Sequence, residues 1–339
     1  MRNRLPLIPA SFLGIVLGLI ALGDCWRAAH LAWGTTTVIP DIIMISAAAV
    51  WAVLMVLLVA KWVLRREEAL AEFRHPVQSS FVALIGVSTL LIAYLAEELS
   101  HGLAVVIFAV ALAVELAFGS YFTARLRRGD IDITTLTPAA YLPTVASNLV
   151  ASFAAAFLGF HTLAVLLLGI GVLCWLMLES QIGFRLAYSG TIPPAQRATI
   201  GILIAPPAVA CMAYLFITGG PKGALPDTFA LALIGYGLFS LLVIVRDLRW
   251  LLTQPFNASY WAFSFGIGAL VFDIVLARAR GMGGFFDWLS VASMVVANVV
   301  IGVLIIGTLC LLVTGGLLPN PAPTPDVASS NKARNAPKD

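Results

Sequence analysis

Residues 42–60 read IIMISAAAVWAVLMVLLVA, nineteen consecutive positions without a charged side chain. Coiled as a helix at about 1.5 Å per residue, that run nearly crosses the ~30 Å hydrocarbon layer of a bilayer. It belongs to an apolar segment covering 40–63, and nine more of similar length occur along the 339 residues. They cover roughly 9–32, 77–98, 100–123, 139–160, 162–183, 198–218, 227–248, 259–278 and 285–314. About 20 apolar residues suffice for one crossing. The pattern predicts an all-α integral membrane protein with ten transmembrane helices, numbered here as spans 1–10.

Composition agrees. Hydrophobic residues make up 60% of the chain and charged residues 11%, with a mean hydropathy of +0.98. Soluble domains carry about 25% charged residues, so a chain this poor in charge needs lipid as its second solvent. The net charge of +3 is spread between the apolar runs, which argues against nucleic acid as a partner. Cys25, Cys174, Cys211 and Cys310 each stand alone in apolar sequence, as small buried hydrophobes do. His30, His75, His101 and His161 fall at span ends without metal-ligand spacing. No nucleophile elbow, zinc-protease motif or phosphate-cradling loop occurs. The expectation is therefore no enzyme, no catalytic residue, no metal and no cofactor.

Basic residues set the orientation. Arg2 and Arg4 precede span 1. Lys61, Arg65, Arg66 and Arg74 separate spans 2 and 3, and Arg125, Arg127 and Arg128 follow span 4. Arg185 and Arg197 follow span 6, Arg246 and Arg249 follow span 8, and Lys332, Arg334 and Lys338 lie beyond span 10. Only Arg27, Lys222, Arg278 and Arg280, four of the twenty Lys and Arg, fall on the other side. With an even number of spans this predicts both termini in the cytoplasm. Arg2 and Arg4 precede an apolar run too long for a signal peptide, so span 1 is expected to be retained. Residues 1–318 form the membrane domain. Residues 319–339, opening Pro319-Asn320-Pro321-Ala322-Pro323, read as a disordered tail.

Short outer links make five hairpins in tandem, 1–2 through 9–10. Their members differ. The odd spans carry small, helix-disturbing or polar residues: Gly14, Gly18 and Gly23, then Gly86, then Pro143, Thr144, Ser147, Asn148 and Ser152, then Pro206-Pro207, then Gly266 and Gly268. Spans 2, 6 and 8 are mostly Leu, Val, Ile and Ala. Irregular backbone and polar atoms at membrane depth are tolerated where they line a cavity or meet protein. The odd spans are thus the expected inner ring, although span 10, with Ser290, Ser293, Asn298 and Thr308, blurs the division.

Ionisable residues inside spans are costly and default to functional candidates. Asp24 lies three residues from Arg27, a spacing that pairs them at an interface. Glu179 sits near Arg185 at a span end, where snorkelling suffices. Glu115 and Asp273 lie deeper and are candidate titrating groups; Asp273 either faces the cavity with Gly266 or pairs with Arg278. The Glu97-Glu98 pair reads as a solvated end. Gly14-x-x-x-Gly18 fits helix packing, and absent side chains there also widen a lumen. The run Tyr260-Trp261-Ala262-Phe263-Ser264-Phe265-Gly266 is read either as aromatic packing or as rings that close a narrow lumen by excluding water.

Several runs in order resemble the tellurite-resistance/dicarboxylate transporter (TDT) family, its TehA-like bacterial branch and the related plant slow-type anion channels. They are Leu13-Gly14-Ile15-Val16-Leu17-Gly18-Leu19, His75-Pro76-Val77, Tyr141-Leu142-Pro143, Arg197-Ala198-Thr199-Ile200-Gly201-Ile202-Leu203-Ile204-Ala205-Pro206, Gly235-Tyr236-Gly237 and Trp261-Ala262-Phe263-Ser264-Phe265-Gly266. The likeness runs from about Pro6 to Leu312. One departure is Val16, where the TehA-like pattern carries proline, so the first-helix kink rests on glycine alone.

The resemblance implies five hairpins about a pseudo-fivefold axis, with the odd helices lining a central pore. It implies a homotrimer with one pore per subunit, in the cell inner (plasma) membrane. It makes Phe265 the pore gate, with Leu13, Gly14, Gly18, Gly86, Asn148, Pro206 and Gly266 as candidate lining residues. The expected activity is gated conduction of small monovalent anions such as chloride and nitrate, linked by family to tellurite resistance. The competing expectation is a proton-coupled carrier of C4-dicarboxylates or sulfite, with Glu115 or Asp273 titrating. The partners are the lipid bilayer and small inorganic or carboxylate anions.

Overall fold

The structure is a computed structural model, and it describes residues 8–318. Arg2 and Arg4, and the tail expected over 319–339, lie outside the described residues. Within them, ten helices are long and apolar enough to cross a membrane, and there is no strand. They are Ala10–Trp33, Val38–Leu64, Gln78–Ala96, His101–Arg127, Pro138–Phe157, His161–Tyr188, Pro194–Ile217, Thr228–Arg246, Ala258–Ala279 and Phe285–Thr314. The boundaries follow the apolar runs closely. The largest extension is in span 6, expected to end at 183 and ending at Tyr188.

Burial separates odd from even. The odd spans have 67–89% of their apolar windows buried, the even spans 17–28%. Span 1 packs on span 9, 9 on 7, 7 on 5, 5 on 3, and 3 closes back on 1. This is a closed ring of five inner helices, each backed by an even helix whose Val, Leu and Ile side chains point outward. The polar residues of span 10 have a local reason. Asn298 Oδ1 accepts from the Trp26 indole of span 1 (3.1 Å), and Thr308 Oγ1 accepts from the Trp261 indole of span 9 (2.8 Å). A buried indole N–H requires such a partner.

The two classes also differ in winding. The even spans are unbroken α-helices of 27, 27, 28, 19 and 30 residues. Each odd span begins irregularly on the face where span 1 starts and span 10 finishes. Span 1 opens with the 3-10 turn Ala10–Leu13, and span 3 with the short helix Gln78–Phe81 before Leu84–Ala96. Span 5 runs through the 3-10 turn Pro138–Tyr141 and the π-turn Leu142–Ala146. Span 7 opens with eleven residues of 3-10 helix, Pro194–Ile204, and span 9 with Ala258–Phe263. Pro143 supplies no N–H to the turn below it. One turn on, Ser147 Oγ and Asn148 Nδ2 are turned back onto the same helix, donating to the Pro143 and Thr144 carbonyls (2.8 and 2.7 Å). Pro206 lies in the first turn of the α-helical part of span 7, where a missing N–H costs nothing.

The basic stretch between spans 2 and 3 is itself structured, with Arg66–Arg74 forming a short helix. Lys61, counted with that stretch for orientation, lies in the last turn of span 2, nearly buried. Its Nζ donates to the Ile8 carbonyl (3.0 Å) and pairs with Glu72, whose Oε1 accepts the Ala10 N–H (2.8 Å). The buried ammonium is thus neutralised, and the start of span 1 is tied to this helix.

Candidate functional site

The five inner helices enclose a central cavity of about 60 Å³. By volume it holds a few waters, roughly four or five. Every inner span contributes to its wall, among them Gly14 and Leu17, Leu84, Tyr141 and Leu149, Pro206 and Val209, and Trp261, Phe265 and Gly266. No charged side chain lines it.

The aromatic run of span 9 straddles the junction between its 3-10 start and the α-helix that begins at Ser264. The change of winding sends its rings to different places. Phe263 packs on Gly201 of span 7, where an added Cβ would come within 2.6 Å of the ring. Phe265 lines the cavity. Trp261 is fixed from behind by Thr308, and its carbonyl accepts from Ser264 Oγ (2.7 Å). Sequence periodicity left packing and closure open; the structure puts Phe263 in a helix contact and Phe265 on the cavity wall.

The sequence-nominated residues divide. Gly14, Pro206, Gly266 and Phe265 come together on the cavity. Leu13, Gly18, Gly86 and Asn148 are not among its lining residues. Leu13 is fully buried. Gly18 faces span 9, where a Cβ would overlap Ser264 and Trp261. Gly86 faces outward to span 4, where a Cβ would fall on the Glu115 carboxyl. Asn148 is turned to its own helix through Thr144. Gly266 serves two contacts, because its missing Cβ also lets span 9 approach the span 7 backbone at Ala205 (2.9 Å from that Cβ position to N).

The buried carboxyls also find places that local spacing did not give. Glu115 lies in the contact of spans 3 and 4, with Oε2 lacking a hydrogen-bond partner. Asp273 is wholly buried between spans 7 and 9 against Cys211, whose thiol donates to the Ala230 carbonyl (3.6 Å), and no N–H or O–H group donates to either Asp273 oxygen. It lines no described cavity, and Arg278 pairs with Asp287 instead. Glu179 does not reach Arg185. It accepts from Tyr141 of span 5, from Trp175 (2.9 Å) and from Tyr236 of span 8 (2.9 Å), so a cavity-lining tyrosine is held by two outer helices. Asp24 and Arg27 meet through the Tyr94 hydroxyl, which donates to Asp24 Oδ1 (2.8 Å) and accepts from Arg27 Nη1 (2.7 Å). Arg27 also pairs with Glu98, which stays largely exposed, and His101 meets Glu97 (2.9 Å) at the same surface, so the pair read as a solvated end lies there with partners.

A second cavity, about 290 Å³, opens on the face opposite the start of span 1 and is lined by Asp24, Arg27, His30, Asp41 and Glu98 above the rings of Tyr94, Phe157, Phe216 and Phe272. Among the described residues no cluster of three or more His, Cys, Asp or Glu stands where it would hold a metal ion.

Comparison with known proteins agrees with this architecture. Residues 8–309 match the SLAC1 family, described as voltage-dependent anion channel. The tellurite resistance protein TehA homolog of Haemophilus influenzae is 32% identical over 309 residues, covering 91% of this chain and 92% of that protein. An uncharacterized transporter of Methanocaldococcus jannaschii, MJ0576, is 24% identical over 63% of this chain and 67% of its own. The S-type anion channel SLAH1 of Arabidopsis thaliana is 28% identical over 47% of this chain and 39% of its own. With a family match over nearly the whole described chain and a near full-length relative above 30% identity, this multi-pass membrane protein belongs to the SLAC1 (TDT) family of anion channels and transporters.

Proposed function

We propose that the chain is a gated channel for small monovalent anions such as chloride and nitrate, that the anion passes along the axis of the odd helices, and that Phe265 closes it. The observation that carries this reading is the position of Phe265 on an uncharged cavity to which all five inner helices contribute. A wall without a fixed cation binds an anion weakly, and a permeant ion must leave as readily as it arrives. A phenyl ring in so narrow a space excludes both water and ion. Gly14, Pro206 and Gly266 line the path beside it.

The face where span 1 starts is assigned to the cytoplasm, because in the sequence sixteen of the twenty Lys and Arg flank the span ends on that side. The assembly is proposed to be a homotrimer in the inner membrane, with one pore per subunit. The relative named for tellurite resistance supports a link of the same kind here.

The test is anion current across planar bilayers containing the purified protein, wild type against Phe265→Ala, in chloride and in nitrate. Near-silent wild type with a large anion-selective current in the variant is the expected result. Equal currents would refute the gate.

A second reading, a proton-coupled carrier of dicarboxylates or sulfite, draws on the unpartnered oxygens of Glu115 and Asp273. It takes precedence if neither protein passes current while proteoliposomes show saturable flux that follows an imposed pH gradient and is lost in Asp273→Asn.

A further inference from the structure

The two cavities share no lining residue. What separates them is a layer of aromatic rings. Tyr94 of span 3 meets Phe153 and Phe157 of span 5 edge-on, with centroids 5.0 and 4.6 Å apart. Phe153 meets Phe216 of span 7 edge-on at 4.8 Å, and Phe216 stacks on Phe272 of span 9 at 6.1 Å. Four inner helices thus supply rings at one level. The fifth, span 1, supplies Asp24, which holds the Tyr94 hydroxyl. Phe272 follows Phe265 by seven residues, two turns or about 10 Å along the same helix. On span 5, Phe153 follows the cavity-lining Leu149 by one turn. Phe153, Phe272 and Tyr94 are almost inaccessible, although Phe272 and Tyr94 form the floor of the outer cavity.

We infer that the pore has a second barrier, this outer aromatic layer, which obstructs the anion independently of Phe265. It rests on the proposed conduction path through the inner ring. Closely packed rings leave few voids large enough for water, and an apolar constriction of that kind stops an ion by denying it hydration. The collar above is polar. Arg27 bridges the Tyr94 hydroxyl and Glu98, and its guanidinium lies 5.4 Å from the Tyr94 ring centre. The layer is thereby tethered at the mouth that faces outer solvent, whereas Phe265 sits in the middle of the wall.

The layer is tested by thiol access. Cys25, Cys174, Cys211 and Cys310 are replaced by alanine, and Leu149→Cys places one thiol in the central cavity. A membrane-impermeant anionic methanethiosulfonate is added to the outside of spheroplasts. The expected result is negligible modification with Phe272 present and at least tenfold faster modification with Phe272→Ala. Phe216→Ala gives the same reading through another ring if the first variant folds poorly. An unchanged rate in a folded variant overturns the proposal. In bilayers, Phe265→Ala/Phe272→Ala is expected to pass several-fold more current than Phe265→Ala. Equal currents would likewise overturn it. Ring-dependent thiol access with no current in any variant would retain the layer and refute the channel reading.

Discussion

The indole of Trp261 donates to Thr308 Oγ1 at 2.8 Å across the contact of spans 9 and 10. A residue on the wall of the central cavity is therefore held by a helix that is mostly exposed to lipid. Thr308→Val keeps the shape and removes the acceptor. A side-chain hydrogen bond between membrane helices contributes about 0.5–2 kcal/mol, so a fall of that size in unfolding free energy in detergent is expected. Thr308→Ser should fall by less, because it retains the hydroxyl.

Gly14 and Gly18 lie one turn apart and are expected to respond unequally. A Cβ at Gly14 meets Trp261 Cβ at 3.6 Å, an ordinary contact, whereas one at Gly18 would come within 2.6 Å of Ser264 Cβ. Gly18→Ala forces spans 1 and 9 apart, and overpacking of this kind costs about 1–3 kcal/mol. Thermal denaturation followed by size-exclusion fluorescence should show a clear loss for Gly18→Ala and little change for Gly14→Ala.

Glu179 accepts from Tyr141, Trp175 and Tyr236. Alanine there strands three donors, each costing about 1–3 kcal/mol when buried without a partner. Half-exposed Tyr236 recovers water, so the whole sum is not lost. Glu179→Gln keeps an acceptor oxygen. The order of stability expected in detergent is wild type, then Gln, then Ala. If the Phe265→Ala background conducts, its current should change with Glu179→Ala, because Tyr141 lines the cavity.

Asp227 caps span 8, accepting from the Phe229 and Ala230 N–H groups (3.1 and 3.0 Å) and from the Tyr214 hydroxyl. The hydrogen bond from Tyr214, followed by that from the Ala230 N–H, lowers its carboxyl below the ordinary value of 3.8. A folded-state value below the unfolded one stabilises fully above 3.8, and the contribution fades as the pH falls through the lower folded value. Melting curves should therefore place wild type above Asp227→Asn at neutral pH. The gap should close only in acid below 3.8. A gap that persisted there would assign the difference to packing rather than charge.

Much of the architecture was legible in the residues. Burial follows the division by Gly, Pro and polar content, because those residue types are tolerated in a membrane only where protein covers them. Gly14, Pro206 and Gly266 reach the cavity by that logic. Other features depend on partners far along the chain. Glu179 read against its neighbour Arg185 looked like a snorkelling pair, yet its acceptors serve tyrosines 38 and 57 positions away. Asn298 and Thr308 looked out of place on a lipid-facing helix until the indoles of Trp26 and Trp261 met them. Gly18 and Gly86 show that a missing side chain signals close approach without saying which neighbour approaches. The assignment of Phe265 rather than Phe263 came from family resemblance. The geometric difference arises from a change in helical winding that composition does not mark.

That winding has a mechanical corollary. Eleven residues at about 2.0 Å each reach roughly 22 Å in the 3-10 form of Pro194–Ile204, and about 16 Å if rewound as α-helix. Rewinding would shorten the segment by roughly 6 Å and turn its side chains through more than half a revolution. The unbroken even helices hold no such slack. Span 7 is thus drawn out at one end by its tighter winding, a stretch of wall that the unbroken helix behind it does not match turn for turn.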